Sequence, residues 1–155
     1  MGQVSSIFQY GTVDSTNTVA LSLARGGAPS GTLVTATAQT AGRGREGRSF
    51  HSAPGGIYTT LIVRPKGTPE DWMLLTSCAG LAVCDAIESC CGAKTLIKWP
   101  NDVRIGTKKV CGILVEGFFE QEPVILSGTG VNVAQEAFPE HLRDVATSLR
   151  LEGYD

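Results

Sequence analysis

The segment Gln39-Thr40-Ala41-Gly42-Arg43-Gly44-Arg45-Glu46-Gly47-Arg48 sets arginines among glycines. Guanidinium groups are planar, permanently charged and bidentate, so they suit carboxylates and phosphates. Glycines let backbone N–H groups approach an anion closely. The segment reads as a loop that folds over an anionic ligand and stays open without one, or as a plain solvated loop. Its Gly42-x-Gly44-x-x-Gly47 matches the dinucleotide fingerprint in letters only. That fingerprint needs a helix to begin within it and meet the pyrophosphate. Here Pro54, Gly55 and Gly56 follow closely, so no helix does.

Three further segments carry polar chemistry. Lys98-Trp99-Pro100-Asn101-Asp102 puts an amide and a carboxylate at a strand end, and Lys108-Lys109 begin the next strand. A hairpin brings those lysines back beside the corner. A lysine is a compact point charge that suits a carboxylate or an α-phosphate. Ser127-Gly128-Thr129-Gly130-Val131-Asn132 has glycines inside a strand, which marks either close approach of a ligand or a β-bulge. Ser15-Thr16-Asn17 starts a helix, as simple capping or as hydrogen-bonding groups for a ligand. No Ser/His/Asp or Cys/His nucleophile stands out, and His51 and His141 read as surface residues.

The elements that must position these groups can be read from pattern. Residues 4–10 form a first strand, and Asp14 or Ser15 then caps a helix to Arg25, stopped by Gly26-Gly27. Residues 31–38 and 57–63 are strands around a long polar loop, 39–56. Thr68-Pro69-Glu70-Asp71 starts a helix that runs to Cys91 and ends at Gly92. Along it Leu74, Leu75, Cys78, Leu81, Ala82 and Ile87 recur at helical spacing. Strands follow near 95–98, 102–105, 109–116 and 123–131, with Gly106-Thr107 as a hairpin turn and a short helix after Phe138-Pro139. Many strands, few helices and hairpin-length links predict an α+β fold. Its mixed, mostly antiparallel sheet carries helices packed on one face.

Composition sets bounds. The 155 residues are one domain's worth. With 13 basic and 15 acidic residues the net charge is −2, which argues against a nucleic-acid binder held by a basic surface. Apolar residues make up 42% of the chain, enough to bury a core. No apolar run spans a membrane, and the first residues do not form a signal peptide. The cysteines number five, without a C-x-x-C pair. They read as buried free thiols in a reducing compartment, the cytoplasm, and not as a metal cage.

Taken in order, D-S-T-N at 14–17, Q-T-A-G-R-G-R-x-G-R at 39–48, P-x-G at 54–56, K-W-P-N-D at 98–102, K-x-x-G-I-L-V-E at 109–116 and G-x-G-x-N at 128–132 resemble the biotin protein ligase family. The resemblance covers about positions 10–150. It implies the class II synthetase-like biotin/lipoate ligase fold. It implies ATP-dependent activation of biotin to biotinyl-5′-AMP, with Mg²⁺, and transfer to a lysine of a carboxylase's biotin carboxyl carrier domain. By that resemblance Lys109 and Arg45 are catalytic. Biotin is held by Ser15, Thr16, Asn17, Gln39, Arg43, Gly44, Arg45, Lys109, Gly112, Leu114, Gly128 and Gly130. Nucleotide is held by Arg45, Arg48, Phe50, Asn101 and Asn132, with Phe50 where many members place a Trp that stacks on adenine. Lys98 reads as structural, and Asp102 is the one candidate metal ligand. The resemblance makes residues 1–155 a catalytic domain without the family's last helix and SH3-like domain, and without an N-terminal DNA-binding domain. A homodimer stays open, and neither nucleic acid nor membrane is an expected partner. Two alternatives remain: a lipoate ligase or octanoyl transferase relative, and a truncated domain that binds biotin but transfers little.

Overall fold

Ser15 has extended backbone, and its Oγ accepts from the N–H of Asn17. It caps helix α1 (Thr16–Arg25), which Gly26 ends. The computed structural model describes residues 4–66, 68–120 and 122–154. Helix α1 joins β1 (Ser6–Val13) to β2 (Thr32–Gln39), which pair in parallel, and a parallel pair needs such a crossover. The remaining strands of the sheet pair antiparallel: β3 (Gly56–Val63), β4 (Leu96–Lys98), β5 (Asp102–Ile105), β6 (Lys108–Phe118) and β7 (Val124–Asn132) complete a sheet ordered β1-β2-β3-β7-β6-β5-β4. Gly106, at φ +56°, turns β5 into β6, as the hairpin reading predicts. Between β3 and β4 lie α2 (Pro69–Met73) and α3 (Leu75–Cys91), the latter ended by Gly92 in the left-handed region at φ 73°.

The mixed, mostly antiparallel sheet agrees with the strand-rich pattern. The helices, however, divide between its faces and do not share one. Alternate residues of a strand point to opposite faces. Ala20 and Ala24 of α1 pack with Val34, Ile62 and Leu126, on the face that also carries Gly128 and Gly130. A Cβ on Gly80 of α3 would meet Ile97 and Ile113, which point to the other face. Ile87 of α3 closes a second cluster there with Val103 and Cys111.

Helix α3 also corrects the reading of its apolar positions. It fully buries only Gly80 and Ile87 among the described residues, because the sheet covers one narrow stripe. Leu74 and Leu81 are exposed, as is Ala82. Cys78 and Cys90 are exposed free thiols, Cys84 and Cys91 are half-buried, and Cys111 alone is buried. The short helix expected after Phe138-Pro139 takes the form of two 3₁₀ turns, Glu140–Leu142 and Arg150–Glu152. Between them the chain lies along the start of β6: Lys109 N–H donates to Val145 O and Thr147 N–H to Lys109 O, both at 2.9 Å.

Candidate active site

One cavity of about 290 Å³ lies on the α1 face of the sheet. Its floor is β6 and β7, where Gly112, Leu114, Gly128 and Gly130 face it. These glycines are there for space. A Cβ on Gly128 would lie 2.3 Å from Asn17 Oδ1, and one on Gly130 would lie 2.5 Å from Phe50 Cε1. A Cβ on Gly112 would lie 2.8 Å from Phe50 and 3.0 Å from Lys109 Nζ. β7 keeps an unbroken register with β3 and β6, so close approach, and not a bulge, accounts for its glycines.

One end of the cavity is polar and uncharged. Ser15, Thr16 and Asn17 form the first turn of α1 and are buried. Thr16 N–H donates to Gln39 Oε1 at 2.8 Å, and its hydroxyl donates to the same oxygen at 3.1 Å. Gln39 Nε2 donates to Ser52 Oγ at 2.8 Å. The capping residues therefore also line the cavity wall. Buried polar groups with spare donors and acceptors can recognise a compact polar head group.

The other end is cationic. Arg45, Arg48, Lys98 and Lys109 line it and outnumber the carboxylates Glu46 and Asp102, whereas Arg43 reaches back to Glu116 beside Asn17. The cis Trp99-Pro100 peptide shapes the corner, which is tied to β6 by Asn101 Nδ2 donating to Ile113 O at 3.1 Å. The β5–β6 hairpin brings Lys109 Nζ within 2.6 Å of Asp102 Oδ1 and 5.6 Å of the Phe50 ring centre. The arginine loop turns sharply through Glu46 (φ 58°) and Gly47 (φ 73°), and Gly44 N–H closes it on Arg48 O at 2.7 Å. Arg43 Nη2 reaches Glu116 Oε2 at 2.9 Å, and Arg45 Nη1 reaches Asn101 Oδ1 at 3.4 Å. Arg48 Nη2 pairs with Glu46, two residues away, and stays exposed.

The structure brings together every candidate site residue except Asn132. Asn132 is buried at the end of β7, where its Nδ2 donates to Thr147 O at 3.0 Å and its backbone O accepts from Leu149 N–H. It ties the end of β7 to the segment that lies along Lys109. Phe50 is in the cavity, but its ring rests on Gly112 and Gly130 and meets Tyr58 edge-on at 6.5 Å. It thus sits between the two ends of the site. Lys98 lines the cavity as well. His141 is exposed, and His51 is half-buried, edge-on to Phe138.

Sequence reasoning gave no role to Thr60, Ser52 or Glu116. Thr60 is fully buried, and its hydroxyl bonds the Thr16 hydroxyl and the Asn17 amide. Nothing in a β-rich run marks such a threonine. Glu116 closes the recognised block at 109–116, and that position was its only signal. Beneath the site, burial pushes the Cys111 thiol up to about 12, with nearby Lys109 opposing the rise. Burial also raises the Tyr58 phenol, against its bond with Gln135.

Among the described residues no cluster of three or more His, Cys, Asp or Glu side chains could hold a metal. Asp102 is already bonded to Lys109. The two carboxylates that line the cavity are both paired with cations, Glu46 with Arg48 and Asp102 with Lys109.

Residues 10–132 match the model of the biotin/lipoate A/B protein ligase family. The bifunctional ligase/repressor BirA of Bacillus spizizenii is 45% identical over 154 residues, covering 96% of this chain and 47% of that protein. The biotin–[acetyl-CoA-carboxylase] ligase of Paracoccus denitrificans is 43% identical over 125 residues, covering 78% of this chain and 52% of that one. Among solved structures, the biotin protein ligase from Aquifex aeolicus in complex with biotin and ATP superposes with a TM-score of 0.81 at 36% identity, over 94% of this chain and 60% of that one. The Leishmania major biotin protein ligase in complex with biotinyl-5-AMP gives 0.80 at 29%, over 97% and 67%. The fold is the class II synthetase-like one of these ligases. The chain spans about half the length of the curated relatives it matches.

Proposed function

The chain belongs to the biotin/lipoate A/B protein ligase family, and we propose that it activates biotin with ATP to biotinyl-5′-AMP and passes biotin to a lysine of a biotin carboxyl carrier domain. One observation carries the reading: a single cavity joins an uncharged hydrogen-bonding end, Ser15 to Asn17 with Gln39, to a cationic end, Lys109 with Arg45. Biotin has those two ends, a cyclic urea and a carboxylate.

In the first half-reaction a biotin carboxylate oxygen attacks the α-phosphorus of ATP, and pyrophosphate leaves. Two anions must meet, so fixed cations must offset their repulsion and the charge that builds in the transition state. Lys109 is the first candidate. Its backbone is held on both sides by the 145–147 segment, and its Nζ leans on Asp102. Arg45, reaching the corner at Asn101, serves the α-phosphate, and the exposed Arg48 serves the outer phosphates. Arg43 and Gly44 close the loop over the head group, with Gly112, Leu114, Gly128 and Gly130 beneath it. Phe50 covers the junction with the nucleotide. Mg²⁺, held chiefly by the triphosphate with Asp102 beside it, would neutralise phosphate charge. In the second half-reaction the carrier lysine amine attacks the acyl carbon and AMP leaves. Five cysteines without a C-x-x-C pair and the use of ATP support a cytoplasmic setting for this chemistry.

The test is the purified chain with ATP, Mg²⁺ and an equimolar mixture of biotin and lipoate, with extracted small molecules read by mass spectrometry. Biotinyl-adenylate is the expected product. Lipoyl-adenylate would move the chain to the sister activity. Neither adenylate would overturn the catalytic reading and leave a binding domain.

A further inference from the structure

Glu116 on β6 lies one step beyond Leu114 of the cavity floor, behind the Asn17 wall. Its Oε2 accepts from Asn17 Nδ2 at 2.7 Å and from Arg43 Nη2 at 2.9 Å. Asn17 is only 4% exposed. Its Oδ1 accepts from the Thr60 hydroxyl and lies 2.3 Å from the place a Cβ on Gly128 would take. Gly128 lines the cavity. The amide oxygen of Asn17 therefore faces the cavity floor, and its nitrogen faces Glu116.

An asparagine amide can sit in either of two flips, and its neighbours choose between them. Thr60 does not choose. Its hydroxyl donates to Asn17 in one flip, and in the other it can donate to Thr16 Oγ1, at 2.9 Å, while accepting from Asn17. Glu116 does choose. A carboxylate paired with an arginine only accepts, so it attracts the amide N–H and repels the amide oxygen. We infer that Glu116 is a positioning residue: it turns the Asn17 carbonyl into the cavity beside Gly128, so that the head group bound there must offer an N–H donor. The same oxygen holds Arg43, so the orientation of the pocket wall and the closure of the arginine loop share one anchor. The inference rests on the biotin reading, because the biotin urea supplies such N–H groups.

Isothermal titration with biotin tests it on the wild-type chain, Glu116→Gln and the double variant Glu116→Gln/Asn17→Asp. An amide at 116 can donate or accept, so the flip of Asn17 is no longer chosen and Arg43 loses its ion pair. Biotin binding should weaken roughly 30-fold, the worth of one misplaced hydrogen bond with its charged neighbour. In the double variant a carboxylate at 17 has only acceptors, and the new amide at 116 can donate to one of its oxygens. The other oxygen again faces the cavity, and binding should recover by on the order of tenfold relative to the single variant. Wild-type affinity in Glu116→Gln, or no recovery in the double variant, would overturn the inference. Unfolding midpoints measured without ligand give a second readout. Asn17→Asp sets a carboxylate against Glu116, so it should lower the midpoint more in the wild-type background than beside Glu116→Gln. Equal lowering would also overturn the orientation. A wild-type chain that binds no biotin would instead overturn the functional reading and the named head group, while the midpoints still decide the orientation.

Discussion

Gly128→Ala tests whether the cavity floor is as tight as it looks. The added Cβ would lie 2.3 Å from Asn17 Oδ1, 3.0 Å from Asn17 Cγ and 3.1 Å from Asn17 Nδ2. Non-bonded atoms settle near ~3.5 Å, so the amide must retreat by about 1 Å. It has nowhere to go cheaply, since it is buried and bonded to Glu116 and Thr60. The backbone cannot yield either, because Gly128 pairs with Thr60 on one side and Leu114 on the other. Forced repacking costs about 1–3 kcal/mol. A broken hydrogen bond adds about 1 kcal/mol, more when a carboxylate is the partner. Against this, alanine gains roughly 0.5–1 kcal/mol by restricting the unfolded chain. The net expectation is a loss of about 2–3 kcal/mol, read from the midpoint and slope of urea unfolding. Gly11→Ala is the control, because nothing lies within 4 Å of its added Cβ, and it should be neutral or slightly stabilising. Asn17→Ala removes the obstruction, so Gly128→Ala should cost under about 1 kcal/mol in that background. The reasoning fails if Gly128→Ala is as mild as Gly11→Ala, or if its cost is unchanged by Asn17→Ala.

Lys109→Ala should reduce biotin-dependent pyrophosphate release by about 10²-fold or more, as removal of a fixed transition-state donor does; a rate equal to the wild type would remove Lys109 from catalysis. Stability should fall in alkali because of Cys111. Its thiol is held protonated by burial, with the pKa raised from 9.0 to about 12, so its contribution is fully present below pH 9.0 and is lost as pH rises towards 12. Tyr58, raised from 10.0, acts in the same direction above that pH. Unfolding midpoints of Cys111→Ala should therefore decline less steeply just above pH 9.0 than those of the wild type, and parallel curves would count against this account. Iodoacetamide on the native protein should label Cys78 and Cys90 and spare Cys111, read by peptide mass spectrometry.

What could be read in the sequence depended on whether a residue's type limits what it can do. Arginines spaced by glycines have few uses, and Arg43, Arg45 and Arg48 do line the cavity. Gly128 and Gly130 in a strand point to a ligand or a bulge, and what comes close to them is the Asn17 and Phe50 side chains. Hairpin turns and helix caps are local, so Gly106, Ser15 and Gly92 sit where their backbone chemistry puts them. Apolar periodicity is weaker, because it marks a face without saying what covers it. Leu81 and Cys78 recur at helical spacing and are nonetheless exposed, since the stripe of α3 that packs on the sheet runs through Gly80, Val83, Cys84, Ile87 and Cys91.

Asn132 and Glu116 mark the limit most sharply. Both close conspicuous blocks, and spacing cannot tell which of them faces the ligand. β7 alternates, and Asn132 lies on the same face as Gly128 and Gly130. At the strand end, however, the segment through Thr147 and Leu149 covers it and takes its hydrogen bonds. Glu116 lies one strand away, opposite Leu126, and Asn17 and Arg43 converge on one of its oxygens. The partners of such polar groups come from elsewhere in the chain. Asn17 and Glu116 are 99 residues apart, and Arg43 and Glu116 are 73 apart. A motif states which donors and acceptors exist. Only the long-range pairing decides which are used up within the protein and which are left for a ligand, and that remainder is what gives the site its selectivity.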